Sequence, residues 1–122
     1  MAYASFEELE VWQRGTQIAV KIYEVMDDCR DFGLKDQMTR AAVSIPSNIA
    51  EGCERDSKKE FVRFLHIAKG SAAELRTQVY IAHRVSLVSR EDKQEIINHL
   101  ETISKKIHRL IDSLKRSIEP KT

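Results

Sequence analysis

The sequence predicts an all-α protein, an antiparallel up-down-up-down four-helix bundle in which residues 1–122 form a single domain. Apolar residues recur in alternating steps of three and four along four segments, which is the pattern of a heptad seam. The connections are short, so consecutive helices should be antiparallel neighbours. Only 4 glycines and 2 prolines occur, which leaves few of the tight turns that join strands. The helices are expected at about residues 6–29, 34–53, 58–85 and 90–117.

The first helix should start with a capping box, in which Ser5 binds a backbone N–H and the Glu8 carboxylate reaches back. The helix should end near Cys29, with Gly33 in the following turn. Its apolar face is wider than one neighbouring helix can cover, so it indicates either a deep bundle core or a contact with another subunit. Two adjacent seams form this face: Leu9, Trp12, Thr16, Ala19, Tyr23 and Met26, beside Val11, Gly15, Ile18, Ile22, Val25 and Cys29.

The second helix contains a proline in its middle, Pro46. Proline cannot donate an N–H to the carbonyl of Ala42 and its ring crowds that carbonyl, so the helix should bend or restart within one turn. The short polar side chains of Ser44 and Asn48 can bond the freed backbone groups. Gly52 would then allow a left-handed residue that ends the helix.

The third and fourth helices carry clear start signals, Ser57 followed by Glu60 and Ser89 followed by acidic residues. Small residues at 70–73 either let another helix approach closely or simply taper the core. Residues 86–88 should form the turn between these helices. In the fourth helix acids gather at the start and bases at the end, which complements the helix dipole without any ligand.

No catalytic, metal-binding or cofactor-binding pattern is present, so the chain is predicted not to be an enzyme. The four histidines form neither a His-Glu-x-x-His nor a Glu-x-x-His pattern, and no glycine-rich phosphate loop occurs. Cys29 and Cys53 should lie at opposite ends of the bundle, too far apart for a disulfide. They are expected to be free thiols.

The chain is expected to be soluble and cytoplasmic, with no membrane contact. It begins without a basic segment followed by an apolar one, and it contains no apolar run of membrane-spanning length. The net charge of +1 argues neither for nor against a nucleic-acid partner.

The charge distribution is the remaining functional signal, because bases dominate the third helix and acids dominate the first. Lys59, Arg63 and His66 share one helical face. This face is either a solvated surface, a contact with helix 1 acids of a neighbouring subunit, or a phosphate-binding strip. Arg63 is the best single candidate, because a guanidinium can bind phosphate through two donors. The candidate nucleic-acid-binding residues are Lys58, Lys59, Arg63 and Arg76, with Lys105, Lys106 and Arg109 as a second group.

Four segments together form a recognisable pattern: Phe6-Glu-Glu-Leu-Glu-Val-Trp12, Arg40-Ala-Ala-Val-Ser-Ile-Pro-Ser-Asn-Ile-Ala-Glu-Gly52, Lys59-Glu-Phe-Val-Arg-Phe-Leu65 and Ala68-Lys-Gly-Ser-Ala-Ala-Glu-Leu75. This pattern resembles a known family, the four-helix-bundle proteins encoded in intervening sequences of large-subunit ribosomal RNA genes. The chain departs from the family pattern at Lys69, where a small or apolar residue is expected, and in the turn at 86–89, which lacks the usual glycine.

The resemblance implies an antiparallel four-helix bundle that assembles into a homopentamer and has no catalytic activity. The fold is also similar to that of the accessory variability determinant of diversity-generating retroelements, a pentamer that binds a reverse transcriptase and nucleic acid. We therefore expect a non-enzymatic homo-oligomeric module that binds structured RNA through basic surface strips. The alternative is a structural or protein-interaction scaffold, such as an accessory subunit of a reverse transcriptase.

Overall fold

The computed structural model describes residues 5–118, which form four α-helices after one short 3₁₀ turn. Each helix packs against the next in sequence, and the first also packs against the fourth, so the bundle is closed. The predicted all-α four-helix bundle is confirmed. The elements are the 3₁₀ turn Phe6–Glu8, α1 Glu10–Val25, α2 Phe32–Cys53, α3 Lys58–Arg84 and α4 Arg90–Ile118.

The core is a single apolar cluster to which all four helices contribute. Most of the wide apolar face of α1 lies in it, including Val11, Ile18 and Ile22. The deep-core interpretation therefore accounts for most of this face. Val20 and Tyr23 are the large apolar residues of α1 that stay exposed, at 57% and 53% of their surface.

The start of α1 differs from the prediction. Ser5 forms no side-chain cap, and α1 begins at Glu10 instead of at about residue 6. Leu9 interrupts the helical path with an extended backbone, at φ −76° and ψ 127°. This conformation buries Leu9, which is 4% exposed, in the core. The predicted capping box is wrong because burial of this leucine fixes the backbone here.

The link between α1 and α2 also differs from the prediction, since α1 ends at Val25 and not near Cys29. Gly33 lies inside the first turn of α2, and no described glycine has a positive φ. Asp31 provides the N-cap, accepting a 3.0 Å hydrogen bond from the backbone N–H of Leu34. The helix therefore begins at a side-chain cap rather than after a glycine turn.

Pro46 lies within a continuous helix, because α2 runs from Phe32 to Cys53 without restarting. As predicted, a side chain bonds a local backbone group: Asn48 Nδ2 donates to the carbonyl of Ser44 at 2.8 Å. Pro46 is buried, and a Cβ added to Gly15 would lie 3.3 Å from two carbons of its ring. The proline is thus a packing surface for α1. The bend itself stays a prediction.

Gly52 does not end α2 through a left-handed conformation, so that prediction is wrong. It is helical, and a Cβ there would lie 2.6 Å from Cβ of Phe64. The glycine instead lets α2 approach α3, and the hydroxyls of Ser44 and Ser71 meet at 2.8 Å in the same interface. Gly70 differs, because a Cβ there would meet nothing within 4 Å.

Both serine caps predicted for the last two helices are present. Ser57 Oγ accepts from the N–H of Glu60 at 3.2 Å, and Ser89 Oγ accepts from the N–H of Asp92 at 3.0 Å. Between these helices Ser86 adopts φ 66°. Its N–H bonds the carbonyl of His83, and the N–H of Leu87 bonds that of Ala82. These two bonds form a Schellman motif in which serine occupies the position that favours glycine.

Two glycine substitutions should have opposite effects on stability. Gly52→Ala should lower the free energy of unfolding by about 1–3 kcal/mol, because the new methyl group collides with Phe64. Gly70→Ala is the control, since it adds the same group in open space and should raise stability by about 0.5–1 kcal/mol. Urea unfolding followed by circular dichroism measures both. Shifts of the same sign would contradict the close α2–α3 contact.

Replacing the left-handed serine should stabilise the turn between α3 and α4. Ser86→Gly removes a Cβ from a left-handed residue and should add about 1 kcal/mol to the free energy of unfolding. Ser113→Gly is the matched control, because Ser113 is exposed within α4 and glycine there should cost about 0.5–1 kcal/mol. Thermal unfolding compares the two variants. A less stable Ser86→Gly protein would contradict the view that the Cβ of Ser86 is unfavourable in the left-handed conformation.

Candidate nucleic-acid interface

A basic groove runs between α3 and α4. It has a volume of about 380 Å³ and is open to solvent. Lys105 and Arg109, predicted from sequence, lie one turn apart on its α4 side, and Lys69 joins them from α3. The basic groove is lined by Lys69, Ser104, Lys105, His108 and Arg109.

Lys69 is held in place by a chain of polar contacts across the basic groove. Its Nζ lies 3.3 Å from Nδ1 of His108, and Nε2 of the same ring lies 3.3 Å from Oδ2 of Asp112. An ammonium group can only donate, so a hydrogen bond between these two atoms uses Nδ1 as the acceptor. Lys69 keeps two further N–H donors for a ligand.

A second pocket lies at the end of the bundle where α3 begins and α4 ends. It has a volume of about 260 Å³, and Lys59 and Lys115 flank the aliphatic side chains of Val62 and Ile118. We call it the end pocket. It places Lys59, a predicted candidate, beside α4.

Arg63 belongs to a different part of the surface from Lys59. Its guanidinium donates to the carboxylate of Glu60 at 2.8 and 3.3 Å and lies 4.6 Å from the ring centre of Phe64. The hydrogen bond from Arg63 holds the pKa of Glu60 below its usual value. Arg55, just after α2, covers the same ring at 5.0 Å. The predicted strip on α3 therefore divides between the α2 side and the α4 side.

Lys106 faces α1 instead of the basic groove. Its Nζ lies 3.2 Å from the carboxylate of Glu10, which also accepts a 2.7 Å bond from Arg14. The hydrogen bond from Arg14, followed by that from Lys106, lowers the pKa of Glu10. Lys106 thus bridges α4 to α1.

The other predicted residues lie outside these sites. Lys58 is exposed and Arg76 is half-buried, and neither lines the basic groove or the end pocket. Lys58, Lys59 and Arg63 point outward, as both the phosphate-strip and the solvated-surface interpretations require. Among residues 5–118 no group of three potential ligands could hold a metal ion. None of the four helices combines the length and apolar character that a membrane span requires.

Comparison with known proteins identifies the family. Residues 7–109 match the family described as 23S rRNA-intervening sequence protein. The chain belongs to this family. A search of curated proteins finds no match. Among solved structures, the chain is similar to a protein of unknown function from the S23 ribosomal protein family of Bacteroides thetaiotaomicron. The two share 27% identity, with a TM-score of 0.78 and coverage of 83% of this chain and 97% of the other.

Three ionisable side chains that line the basic groove or the end pocket of this family member were not among the sequence-derived candidates: Lys69, His108 and Lys115. Lys69 gave a signal, because it departs from the expected family pattern. A lysine at a position where a small or apolar residue is expected indicates a candidate binding residue. The structure gives it this meaning, because Lys69 lies beside the bases of α4. For His108 the sequence gave no usable signal, since its role depends on which helix packs opposite it.

Exposed apolar residues form a second feature of the surface in this family member. Ile67 and Ile81 lie two heptads apart on the outer side of α3, Val85 is the C-cap of that helix, and Val20 and Tyr23 lie on α1. The two sets occupy different helices. Exposed apolar side chains of this size are available for contacts with another protein.

Removing either base beside Glu10 should raise the pKa of its carboxyl group. Because the folded pKa lies below the unfolded one, the bridge contributes stability at neutral pH and loses it as pH falls through the acid range. Arg14→Gln should raise this pKa more than Lys106→Gln, because the hydrogen bond from Arg14 lowers the pKa of Glu10 more than the one from Lys106 does. Lys105→Gln, in the basic groove, is the control. A carboxyl-carbon NMR titration measures the values, and equal effects of all three variants would contradict the assignment.

Proposed function

We propose that this family member is a non-enzymatic, homo-oligomeric helical module that binds structured RNA through the basic groove. The observation that carries the proposal is the convergence of Lys69, Lys105 and Arg109 on one open groove. These three cations come from two helices that the bundle core holds rigidly. Such an arrangement can neutralise backbone phosphates without reading bases.

Oligomerisation is part of the proposal, because one subunit has a net charge of only +1. A single basic groove should hold RNA weakly. An assembly repeats the groove, and linked weak contacts then add through effective concentration. Binding should fall steeply with salt and depend little on base sequence.

The exposed apolar residues support self-association. The exposed apolar residues of α1 and those of α3 lie on different surfaces, so contact between them would be head-to-tail and could close into a ring. The exposed acids that flank α1, Glu7, Asp27 and Asp28, and the bases of α3 would favour the same pairing. The family resemblance makes a homopentamer the favoured assembly.

The family description supplies the first ligand to test. It names the intervening sequence of 23S rRNA, so a structured fragment of that RNA is a suitable starting point. The same exposed apolar residues also favour a second candidate function, a scaffold that binds proteins. An accessory subunit of a reverse transcriptase, resembling the accessory variability determinant of diversity-generating retroelements, is its most specific form.

Neutralising the basic groove should weaken RNA binding without changing assembly. Lys105→Gln with Arg109→Gln should lower affinity at least tenfold and reduce the salt slope by about 2, because two phosphate contacts are lost. The matched control is Arg30→Gln with Arg90→Gln, which removes two exposed charges away from the groove. Fluorescence anisotropy at several salt concentrations measures binding, and light scattering measures mass.

The same titration tests the alternative sites and functions. Lys59→Gln with Arg63→Gln removes the same two charges from the strip predicted from sequence, and a larger loss there than in the groove variant would move the site to α3. If the parent binds no RNA at low salt, the scaffold function replaces this one. A monomeric mass at micromolar concentration would contradict the oligomeric part of the proposal.

A further inference from the structure

The end pocket differs chemically from the basic groove. Two lysines, Lys59 and Lys115, stand at its rim, and the aliphatic side chains of Val62 and Ile118 form its floor. A phosphate alone would use only the lysines. A ligand with an anionic group beside an apolar face would use the floor as well, and a nucleotide has this combination.

The end pocket and the basic groove lie along the same seam between α3 and α4. On α3, Lys59 and Lys69 are ten residues apart, or about 15 Å along the helix axis. On α4, Arg109 and Lys115 are six residues apart, or about 9 Å. A nucleic-acid strand covers such a distance in a few nucleotides, so one strand can occupy both sites.

We propose that this seam binds a single-stranded segment of RNA in a defined register. Backbone phosphates lie between Lys69 and the two α4 bases, Lys105 and Arg109. A neighbouring nucleoside packs on Val62 and Ile118, with its phosphate between the rim lysines. This inference rests on the proposed function, since it specifies which form of RNA that function recognises.

The aliphatic floor is what selects an unpaired nucleotide. In a duplex the base faces are stacked on one another, and the major groove of A-form RNA is too narrow for protein side chains. Only an unpaired residue, as in a loop or bulge of a structured RNA, can lay its base or sugar against the floor. Because aliphatic groups do not hydrogen-bond, the site should accept any base.

The experiment compares three ligands with the full-length protein at low salt: octauridylate, an abasic backbone of equal length and charge, and an eight-pair RNA duplex. The parent should bind octauridylate about five- to tenfold more tightly than the abasic backbone, and more tightly than the duplex. Ile118→Ser should weaken octauridylate binding only, so that octauridylate and the abasic backbone then bind with equal affinity. Its unchanged binding of the abasic backbone shows that the variant is folded.

Two further variants complete the test. Lys115→Gln should weaken binding of octauridylate and of the abasic backbone by the same factor, because it removes a charge contact only. Val43→Ser, which alters an exposed valine on α2, should change neither affinity. Val62 is kept intact because it is buried in the core.

The outcomes separate this inference from the proposed function. If the parent binds RNA but treats octauridylate and the abasic backbone alike, or binds the duplex equally well, the single-strand register is overturned and the proposed function stands. The single-strand register is also overturned if Ile118→Ser lowers the affinity for octauridylate and for the abasic backbone by the same factor. If none of the three ligands binds, both proposals fail.

Discussion

The close packing of α2 on both sides is the constraint on which the rest of the bundle depends. On one side Gly15 of α1 meets the ring of Pro46, and on the other Gly52 leaves no room for a side chain against Phe64. Helices that approach this closely cannot slide or rotate without a collision. The position of α3 relative to α2 is therefore fixed by shape, and α3 in turn carries Lys69 and Lys59 to their places beside α4.

The fold could be predicted from the sequence because heptad spacing directly encodes which side of each helix is buried. The helix ends were predicted less well. The start at Ser5 and the end at Gly52 were interpreted from local rules for caps and turns, whereas packing of Leu9 in the core and of Phe64 against Gly52 decides those backbone paths. Gly33 was expected in a turn, but the Asp31 cap starts α2 before it. Ser57 and Ser89 were predicted correctly because their caps involve only neighbouring residues.

The candidate site was predictable only in part, since a groove between two helices depends on which residues face each other. Lys105 and Arg109 were found because they lie on one turn of one helix. Lys69 was not, because its proximity to His108 spans 39 positions in the sequence. Sequence spacing also placed Arg63 and Lys59 on one strip. The structure separates them, because Glu60 and Phe64 hold the guanidinium toward α2.

The 3₁₀ turn before α1 has a spectroscopic consequence. Trp12 is the only tryptophan in the chain, and its ring lies edge-on to Phe6 with 5.3 Å between the ring centres. Half of this aromatic pair comes from the turn and half from the helix. Intrinsic fluorescence therefore reports first on whether the N-terminal turn is docked. Release of that turn could change the emission while all four helices, and the far-ultraviolet signal that they dominate, remain intact.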